Sequence, residues 1–195
     1  LNHTTLIIII TVIVSLLAWQ NKKLLNRLIF YPPAVNNGQW DRFVTHGFIH
    51  ADGTHLFFNM FVLWEFGKTV ESEMGSDFPI LYFGALLIAA IPALTKHKNN
   101  VNYRSLGASG AVSAILMAFI VAHPTHTLLL FFIIPIPAIF AGVLFFLYER
   151  HMQKNGGTGI AHDAHIYGAI FGLLFSIVRD PESISRMFKA LIQLF

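Results

Sequence analysis

An uncharged run of 44 residues, from 105 to 148, is the feature that most limits how this chain can fold. Residues 1–21 and 78–95 also contain no Lys, Arg, Asp or Glu. About 20 consecutive apolar residues are enough for a helix to cross a bilayer. We therefore expect a polytopic membrane protein.

The composition excludes the common soluble classes. Only 12% of the 195 residues are charged and the mean hydropathy is +0.61, whereas soluble domains carry about 25% charged residues. A soluble enzyme, a nucleic-acid-binding protein and a disordered tail are thus excluded, and a net charge of +3 spread over loops forms no basic patch. The absence of cysteine excludes disulfides, thiolate metal ligands and a cysteine nucleophile.

Six apolar segments of spanning length can be marked along the chain, and no internal repeat or second domain is visible. His123-Pro124 divides the long uncharged run into two of them. We predict an all-α fold: a bundle of six transmembrane helices in a single membrane domain over residues 1–195. The predicted spans are Thr4–Trp19, Thr54–Val70, Phe78–Leu94, Leu106–Ala122, Thr127–Tyr148 and Ala161–Val178.

The segments between and after the spans carry predictions of their own. Residues 20–53 mix apolar, aromatic and turn-forming residues, which is typical of a segment half sunk in the membrane interface. Pro135 and Pro137 are expected to kink the fifth span. Residues 182–195 have the apolar spacing of an amphipathic helix on the membrane surface. Because the chain begins at Leu1 rather than Met, a soluble N-terminal part is expected to be absent from it.

Gly107-Ala108-Ser109-Gly110, at the start of the fourth span, is the first candidate for chemistry. Glycines allow a tight turn and close approach, and the free N–H groups and dipole at a helix N-terminus favour negative charge. A serine there is well placed to act as a nucleophile beside a developing oxyanion. The alternative is structural, since clusters of small residues commonly pack transmembrane helices together.

The sixth span offers a base for that serine. His165 is followed by Gly168 and Gly172 at offsets of three and seven, so all three share one helical face, and that face can come close to another helix. A serine hydroxyl needs a neighbouring group to take its proton. His165 could equally be a structural, hydrogen-bonded histidine. His162, one turn earlier and beside Asp163, is expected to be solvated.

His55 and Asn59 lie four residues apart on one face of the second span. Two neutral donors that point the same way can stabilise a tetrahedral oxyanion, although they could also bridge helices by hydrogen bonds. The run of His46, His50 and His55 is also compatible with a metal site. No acidic residue stands at the general-base position of an H-E-x-x-H motif, so we expect no metal, and we assign His46 and His50 to fixing the loop on the second helix.

These motifs resemble those of rhomboid intramembrane serine proteases, in particular the bacterial GlpG type. The first loop has Trp40 and Arg42, which resemble the Trp-Arg signature of that family although Asp41 stands between them. The order and spacing agree along essentially the whole chain. The matching pieces are His46, His50, His55 and Asn59, then Gly107–Gly110, then Ala164-His165 with Gly168 and Gly172.

The resemblance implies a reaction and a set of roles. Ser109 is expected to be the nucleophile and His165 its general base, a dyad without an acidic third member. The oxyanion would be held by the side chains of His55 and Asn59 and by the Ser109 backbone N–H. The implied substrates are transmembrane proteins, cut within or next to the lipid bilayer without cofactor, metal or nucleic acid. The fifth span and the glycine-rich loop Asn155–Gly159 resemble the mobile side through which substrate enters.

Two features depart from the family pattern. Bacterial relatives often have an aromatic residue four positions after the nucleophile, whereas this chain has Ser113, so His165 is expected to take its orientation from another contact, such as Tyr167 or a water. The family also implies an inner-membrane protein with a cytoplasmic N-terminus and an active site that opens on the opposite side. That orientation leaves more basic residues outside than inside, the reverse of the positive-inside rule.

Two other classes of function stay open. A polar-lined transporter or channel would use the histidines to relay protons or bind a metal, but the chain shows no symmetry between two halves of the kind that transporters carry. A catalytically inactive rhomboid relative would bind membrane helices without cutting them, and the presence of both Ser109 and His165 argues against it. No feature of the sequence indicates the oligomeric state.

Overall fold

The computed structural model describes residues 1–130, 133–156 and 161–193, and these residues form a predominantly helical protein. The all-α class is confirmed, with one short β-hairpin as the exception, and one 3₁₀ turn spans His46–Phe48. The elements are α1 (His3–Gln20), α2 (Lys22–Leu28), α3 (Pro32–Asn36), α4 (Arg42–Thr45), α5 (Gly53–Met74), α6 (Asp77–Lys96), α7 (Ser109–Ala122), β1 (Thr127–Leu130), β2 (Ile134–Pro137), α8 (Ala138–Asn155), α9 (His162–Arg179) and α10 (Ser183–Gln193).

Helix α7 is the centre of the bundle and packs against α5, α6, α8, α9 and α10. Eleven of its 14 residues are buried. A helix that is apolar on all sides belongs in a protein interior, and the small side chains of Ala111, Ala114 and Ala118 let the neighbouring helices approach closely. The first residue of α7, Ser109, is half-buried at one end of this central helix.

The first helix is fixed on α5 at its start. The Glu71 carboxylate accepts hydrogen bonds from the backbone N–H groups of His3 and Thr4, at 2.6 and 2.8 Å, and from the Thr4 hydroxyl at 2.7 Å. A carboxylate at a helix N-terminus satisfies free N–H groups and complements the helix dipole. Gly67 makes room for this contact, since a Cβ there would lie 2.9 Å from the Thr4 methyl carbon. The register of α1 along α5 is set by these contacts.

The predicted fifth span, Thr127–Tyr148, is wrong in its first half. Strand β1 pairs with β2 in antiparallel register, and Pro135 and Pro137 lie in β2 instead of kinking a helix. Proline lacks an N–H and drives the preceding residue to extended backbone, so two prolines spaced two apart favour an edge strand. Helix α8 begins after them and continues to Asn155. Residues 157–159 of the predicted glycine-rich loop lie outside the described residues.

The connection over residues 20–53 is built from short helices around a buried arginine. The Arg42 guanidinium donates to the backbone oxygens of Asn26 and Ile29, at 2.9 and 2.5 Å, and to the Gln39 side-chain oxygen at 2.7 Å. A buried charge is tolerated when its donors are satisfied in this way. Trp40 is exposed, as an interfacial tryptophan would be. The half-sunk position of this connection in a membrane stays a prediction.

Two of the described helices, α1 and α6, are long and apolar enough to cross a membrane. Helix α7 is apolar but shorter, at 14 residues. The other long helices, α5, α8 and α9, are less apolar than α1 and α6. Length and composition alone therefore do not establish the predicted count of six spans.

Helix α10 is strongly amphipathic, as predicted for the C-terminal segment. Ile184, Phe188 and Ile192 are exposed along one side, whereas Ser183 and Ala190 are buried. The helix packs against α7 and α9. An exposed apolar stripe of this kind suits the surface of a membrane, and that location stays a prediction.

Candidate active site

Ser109 is the first residue of α7, and the loop before it is fixed by two loop histidines. The backbone N–H of Gly107 donates to the His46 carbonyl oxygen at 2.9 Å, and that of Ala108 donates to His50 Nε2 at 3.3 Å. Gly107 has a φ of +113°, which glycine adopts at little cost and other residues rarely do. The chain thus turns sharply into α7, and the first N–H groups of the helix stay free of intrahelical partners at Ser109.

The two loop histidines are buried and neutral. Burial lowers the pKa of His46 to about 4 and the pKa of His50 to about 3. Because His50 Nε2 accepts a hydrogen bond, its Nδ1 carries the proton and donates to the Ser15 hydroxyl at 3.2 Å. His50 therefore joins α1 to the loop before Ser109, and both of its ring nitrogens are engaged. His46 and His50 hold the loop against the start of α7. The expected contact with α5 is made by His50, whose ring centroid lies 4.9 Å from that of His55.

His55 and Asn59 lie in the first two turns of α5, next to that loop. A Cβ on Gly107 would lie 2.7 Å from His55 Cε1 and 2.9 Å from its Nε2, so the imidazole packs directly on the glycine. Asn59 is buried, and its amide nitrogen donates to the His55 carbonyl oxygen at 2.9 Å. One N–H of that amide is left over. The structure therefore brings His55 beside the turn that carries Ser109.

Helices α7 and α9 cross with their backbones in contact. A Cβ on Gly168 would lie 2.0 Å from the Gly110 carbonyl oxygen, and a Cβ on Gly172 would lie 2.4 Å from that of Ala114. No side chain fits at these distances, so only glycine permits the crossing. The glycine face predicted for the sixth span is therefore the face that meets the fourth.

This crossing brings Ser109 and His165 to adjoining turns. The Ala164 carbonyl oxygen lies 3.3 Å from the position of a Cβ on Gly110, so the residues next to Ser109 and His165 are in contact. Within the part of the chain that the structure describes, the Ser109 hydroxyl and the His165 imidazole form no hydrogen bond with each other. Catalytic hydrogen bonds are often long in the absence of substrate and tighten when it binds.

The imidazole of His165 instead faces a carboxylate to which the sequence reasoning assigned no role. His165 Nδ1 lies 3.1 Å from Glu149 Oε1, and His162 Nδ1 lies 2.6 Å from Glu149 Oε2. Glu149 and His162 are each only 5% exposed, and the His165 side chain is 15% exposed. A single buried carboxylate on α8 therefore bridges two imidazoles on α9.

One expectation is corrected by this contact. His162 is buried rather than solvated, because α8 continues past the predicted end of the fifth span and carries Glu149 against it. The side chain found against His165 Nδ1 is Glu149, whereas Tyr167 is 44% exposed, and what orients His165 stays a prediction. The sequence does hold a signal for this. Four of the six residues between Glu149 and Gly156 (Arg150, Met152, Gln153 and Lys154) are good helix formers, which favours a helix that continues past Tyr148.

The same three side chains are the group among the described residues that could hold a metal ion. Their ligand atoms all lie within 4.8 Å of one another. Two ligands at about 2.0–2.2 Å from a tetrahedral zinc ion lie roughly 3.3–3.6 Å from each other. The 2.6 Å between His162 Nδ1 and Glu149 Oε2 is shorter than that and is a hydrogen-bond distance. The absence of a functional metal stays a prediction.

Comparison with known proteins identifies the family. A model of the rhomboid domain matches residues 37–181. This chain belongs to the rhomboid family. Rhomboids are membrane-embedded and are generally intramembrane serine proteases that act on membrane proteins, although some members are inactive. The matched region contains Ser109, His165, His55 and Asn59.

Curated rhomboids of several organisms resemble this one. RHOMBOID-like protein 12, mitochondrial, of Arabidopsis thaliana is 28% identical over 162 residues, which cover 75% of this chain and 48% of the relative. Rhomboid protein 1, mitochondrial, of Saccharomyces cerevisiae is 29% identical over 136 residues, which cover 66% of this chain and 38% of the relative. Putative rhomboid protease YdcA of Bacillus subtilis is 31% identical over 91 residues, which cover 46% of this chain and 45% of the relative.

This rhomboid chain thus spans about half the length or less of these curated relatives. Both mitochondrial and bacterial proteins are among them. The family is confirmed, and the assignment to the GlpG type within it stays a prediction.

Proposed function

We propose that this rhomboid is an intramembrane serine endopeptidase that cleaves transmembrane-protein substrates within or next to the bilayer. Ser109 is the nucleophile and His165 is its general base. The observation that carries this proposal is the crossing of α7 and α9, in which the turns bearing the two residues adjoin. Family membership supports the reaction class.

The length of α7 supports a site below the membrane surface. Its 14 residues rise about 21 Å, whereas the hydrocarbon core of a bilayer is roughly 30 Å thick. If one end of α7 reaches one face of the membrane, the other end lies inside it. Ser109 and its polar neighbours would then meet a substrate helix within the thickness of the bilayer.

The reaction follows from the placement of the two side chains. Ser109 Oγ attacks the scissile carbonyl carbon while His165 Nε2 takes the hydroxyl proton. The C–N bond then breaks, and His165 returns the proton to the leaving amine, which leaves an acyl ester on Ser109. A water attacks that ester by the same route and frees the serine. Neither a metal nor a cofactor takes part in these steps.

The oxyanion of each tetrahedral intermediate would be met by three donors. The Ser109 backbone N–H stands at the N-terminus of α7, where the helix dipole favours negative charge. The imidazole of His55 packs on Gly107, beside the same turn. Asn59 has one amide N–H left after its bond to the His55 carbonyl. Donors fixed in advance cost no reorganisation when the charge appears.

The proposal extends to the architecture. We propose that α1, α5, α6, α7, α8 and α9 are the six spans of one membrane domain over residues 1–195. Successive spans alternate in direction, so a cytoplasmic N-terminus puts the Ser109 end of α7 on the opposite side of an inner membrane. Because the chain has no cysteine, single-cysteine variants can test this directly. A cysteine at Asn100 should react with an impermeant maleimide from outside, and one at Ser185 only after permeabilisation.

The decisive experiment is labelling of the purified protein with a fluorophosphonate, followed by mass spectrometry of the adduct. We expect one adduct, on Ser109, that is lost in Ser109→Ala and greatly reduced in His165→Ala. Cleavage of a single-span substrate should survive EDTA. Cleavage that persists in Ser109→Ala, or that EDTA abolishes reversibly, would refute the serine mechanism. A transporter or channel with functional histidines would give ion flux without an adduct.

A further inference from the structure

The Ser109–His165 pair does not account for two buried polar residues beside it, Glu149 and His162. We propose that Glu149 is a positioning residue, which holds His165 in the tautomer and orientation of a general base, and that His162 anchors the second oxygen of the same carboxylate. This inference rests on the proposed protease function. It adds to the expected dyad an acidic group from the neighbouring helix α8.

The first support is the proton arrangement that the contacts require. An ionised carboxylate can only accept hydrogen bonds, so each imidazole must present an N–H to it. The contacts are made by Nδ1 in both rings, at 2.6 Å for His162 and 3.1 Å for His165. In neutral His165 the proton then sits on Nδ1, and Nε2 keeps its lone pair. That is the nitrogen that has to take the proton of Ser109.

The second support is charge. When His165 takes the serine proton it becomes an imidazolium, and a buried carboxylate in contact with it stabilises that state. The titratable groups around His165 are few. Helix α8 contributes Glu149, α9 itself contributes His162 and Asp163, and α5 contributes His55. Asp163 also interacts with His97, which follows α6. Helix α7 contributes no titratable side chain near His165. Helix α10 packs against the other end of α9 and contributes none either.

The role of His162 follows from the burial of Glu149. A carboxylate that is 5% exposed is costly unless its oxygens are hydrogen-bonded. His165 can satisfy only one oxygen and has to change protonation state during the reaction. His162 holds the other oxygen at 2.6 Å throughout. The carboxylate therefore keeps its place while His165 exchanges a proton with the substrate.

A matched control lies at the other end of α7. Glu73 and His123 also form a carboxylate–imidazole contact, at 2.7 Å, but both side chains are more than one third exposed. Glu73→Gln removes the same charge and the same kind of contact far from Ser109. Any effect that is specific to positioning of the base should appear in Glu149→Gln and not in Glu73→Gln.

The test compares the full-length wild type, Glu149→Gln and Glu73→Gln in detergent. The readouts are fluorophosphonate labelling of Ser109 between pH 5 and 9, kcat and KM on a single-span substrate, and the thermal midpoint. For Glu149→Gln we expect kcat to fall by about ten- to a hundredfold with KM unchanged. Loss of the carboxylate should also move the acid limb of the labelling profile by about one unit to lower pH. Glu73→Gln should match the wild type.

Glu149→Asp keeps the charge but shortens the reach, and it serves if Glu149→Gln does not fold. Its acid limb should stay near that of the wild type while its kcat falls. An acid limb in Glu149→Asp that moves about one unit to lower pH than in the wild type would refute the role of the charge, because this variant keeps the charge. So would a Glu149→Gln variant that loses only thermal stability and keeps the wild-type pH profile, because a purely structural contact predicts that result.

Two further outcomes separate this inference from its alternatives. If wild-type Ser109 is not labelled, or if Ser109→Ala still cleaves, the proposed function fails and not merely the role of Glu149. Added Zn²⁺ could inhibit the wild type but not Glu149→Gln or His162→Gln. If, in addition, the pH profiles of labelling of all three proteins coincide without metal, the cluster is a metal site and the positioning role is refuted.

Discussion

Two carboxylate–imidazole contacts of similar length lie at opposite ends of the bundle and differ strongly in burial. Glu149 contacts His162 at 2.6 Å, with both side chains 6% exposed, and Glu73 contacts His123 at 2.7 Å, with side chains 39% and 36% exposed. An exposed pair is screened by water and contributes about 0–1 kcal/mol. Removal of one partner of a buried pair strongly destabilises the protein. Distance alone therefore does not reveal which contact matters.

The position of the cavity in this protein does not show which of the two contacts matters either. A cavity of about 260 Å³ lies at the Glu73 end, lined by residues that include Met74, His123 and Arg179. The candidate nucleophile is at the other end of α7. The proposed functional end is instead the one where buried polar side chains contact one another. The expected effects below are ordered from the largest to the smallest.

Ser109→Ala and His165→Ala should each lower the rate of proteolysis by at least about ten-thousandfold, since a nucleophile and its base act as one unit. His123→Ala, at the exposed end, should leave the rate unchanged. Turnover of a single-span substrate measures the rates, and thermal unfolding in detergent shows whether each variant is folded. Equal losses in His165→Ala and His123→Ala would abolish the functional contrast between the two ends.

Asn59→Ala should lower kcat by about a hundred- to a thousandfold, or roughly 2.7–4 kcal/mol, with little change in KM. The reason is that its proposed hydrogen bond forms only when the oxyanion appears. Ser72→Ala, further along α5 and exposed, is the matched control. A raised KM with unchanged kcat would mean that Asn59 positions substrate instead. His55→Ala should also lower kcat, but a fall in thermal midpoint is expected with it because the ring packs on Gly107.

Gly168→Ala should destabilise the fold by about 1–3 kcal/mol and slow catalysis, because its Cβ would force α9 away from α7. The added carbon would lie 2.0 Å from the Gly110 carbonyl oxygen. Gly53→Ala is the control, since a Cβ there meets nothing within 4 Å. Thermal unfolding and turnover of both variants give the comparison. Wild-type stability in Gly168→Ala would show that the crossing can relax.

Glu149→Ala should lower the free energy of unfolding by about 1–3 kcal/mol, because it removes the carboxylate that the Nδ1 atoms of His162 and His165 contact. Glu73→Ala should cost about 0–1 kcal/mol. Denaturant or thermal unfolding of the two variants in the same detergent is the measurement. If both changes cost the same, burial would not distinguish the two contacts.

Acid should weaken the fold through the loop histidines. Burial holds the pKa of His46 at about 4 and that of His50 at about 3, below the ordinary 6.5. The unfolded chain therefore binds more protons, so the stability is complete above pH 6.5 and is lost as the pH falls toward these values. Between pH 7.5 and 5.5 each histidine should cost on the order of 1 kcal/mol. The thermal midpoint of the wild type should fall over this range, and that of His50→Gln should fall less.

Features with a local origin could be read from the sequence. Uncharged apolar runs predict the helices that became α1, α6 and α7, and predominantly apolar segments predict α5 and α9, because a long apolar segment has few other solutions in a membrane. The offsets among His165, Gly168 and Gly172 predict a shared face, since helical geometry is the same in every context. The position of Ser109 at a helix start follows from the glycines around it.

Features that depend on contacts between distant segments could not be predicted from the sequence. The first half of the predicted fifth span formed a hairpin, because two prolines removed the N–H groups that a helix needs and the paired strand supplied another solution. Glu149 directly follows the predicted end of the fifth span at Tyr148, and the sequence reasoning assigned it no role. Only the docking of α8 on α9 buried it, brought it to 3.1 Å from His165 and paired it with His162. Whether a charged residue faces water or an imidazole is decided by what packs over it, and that information lies in the tertiary structure.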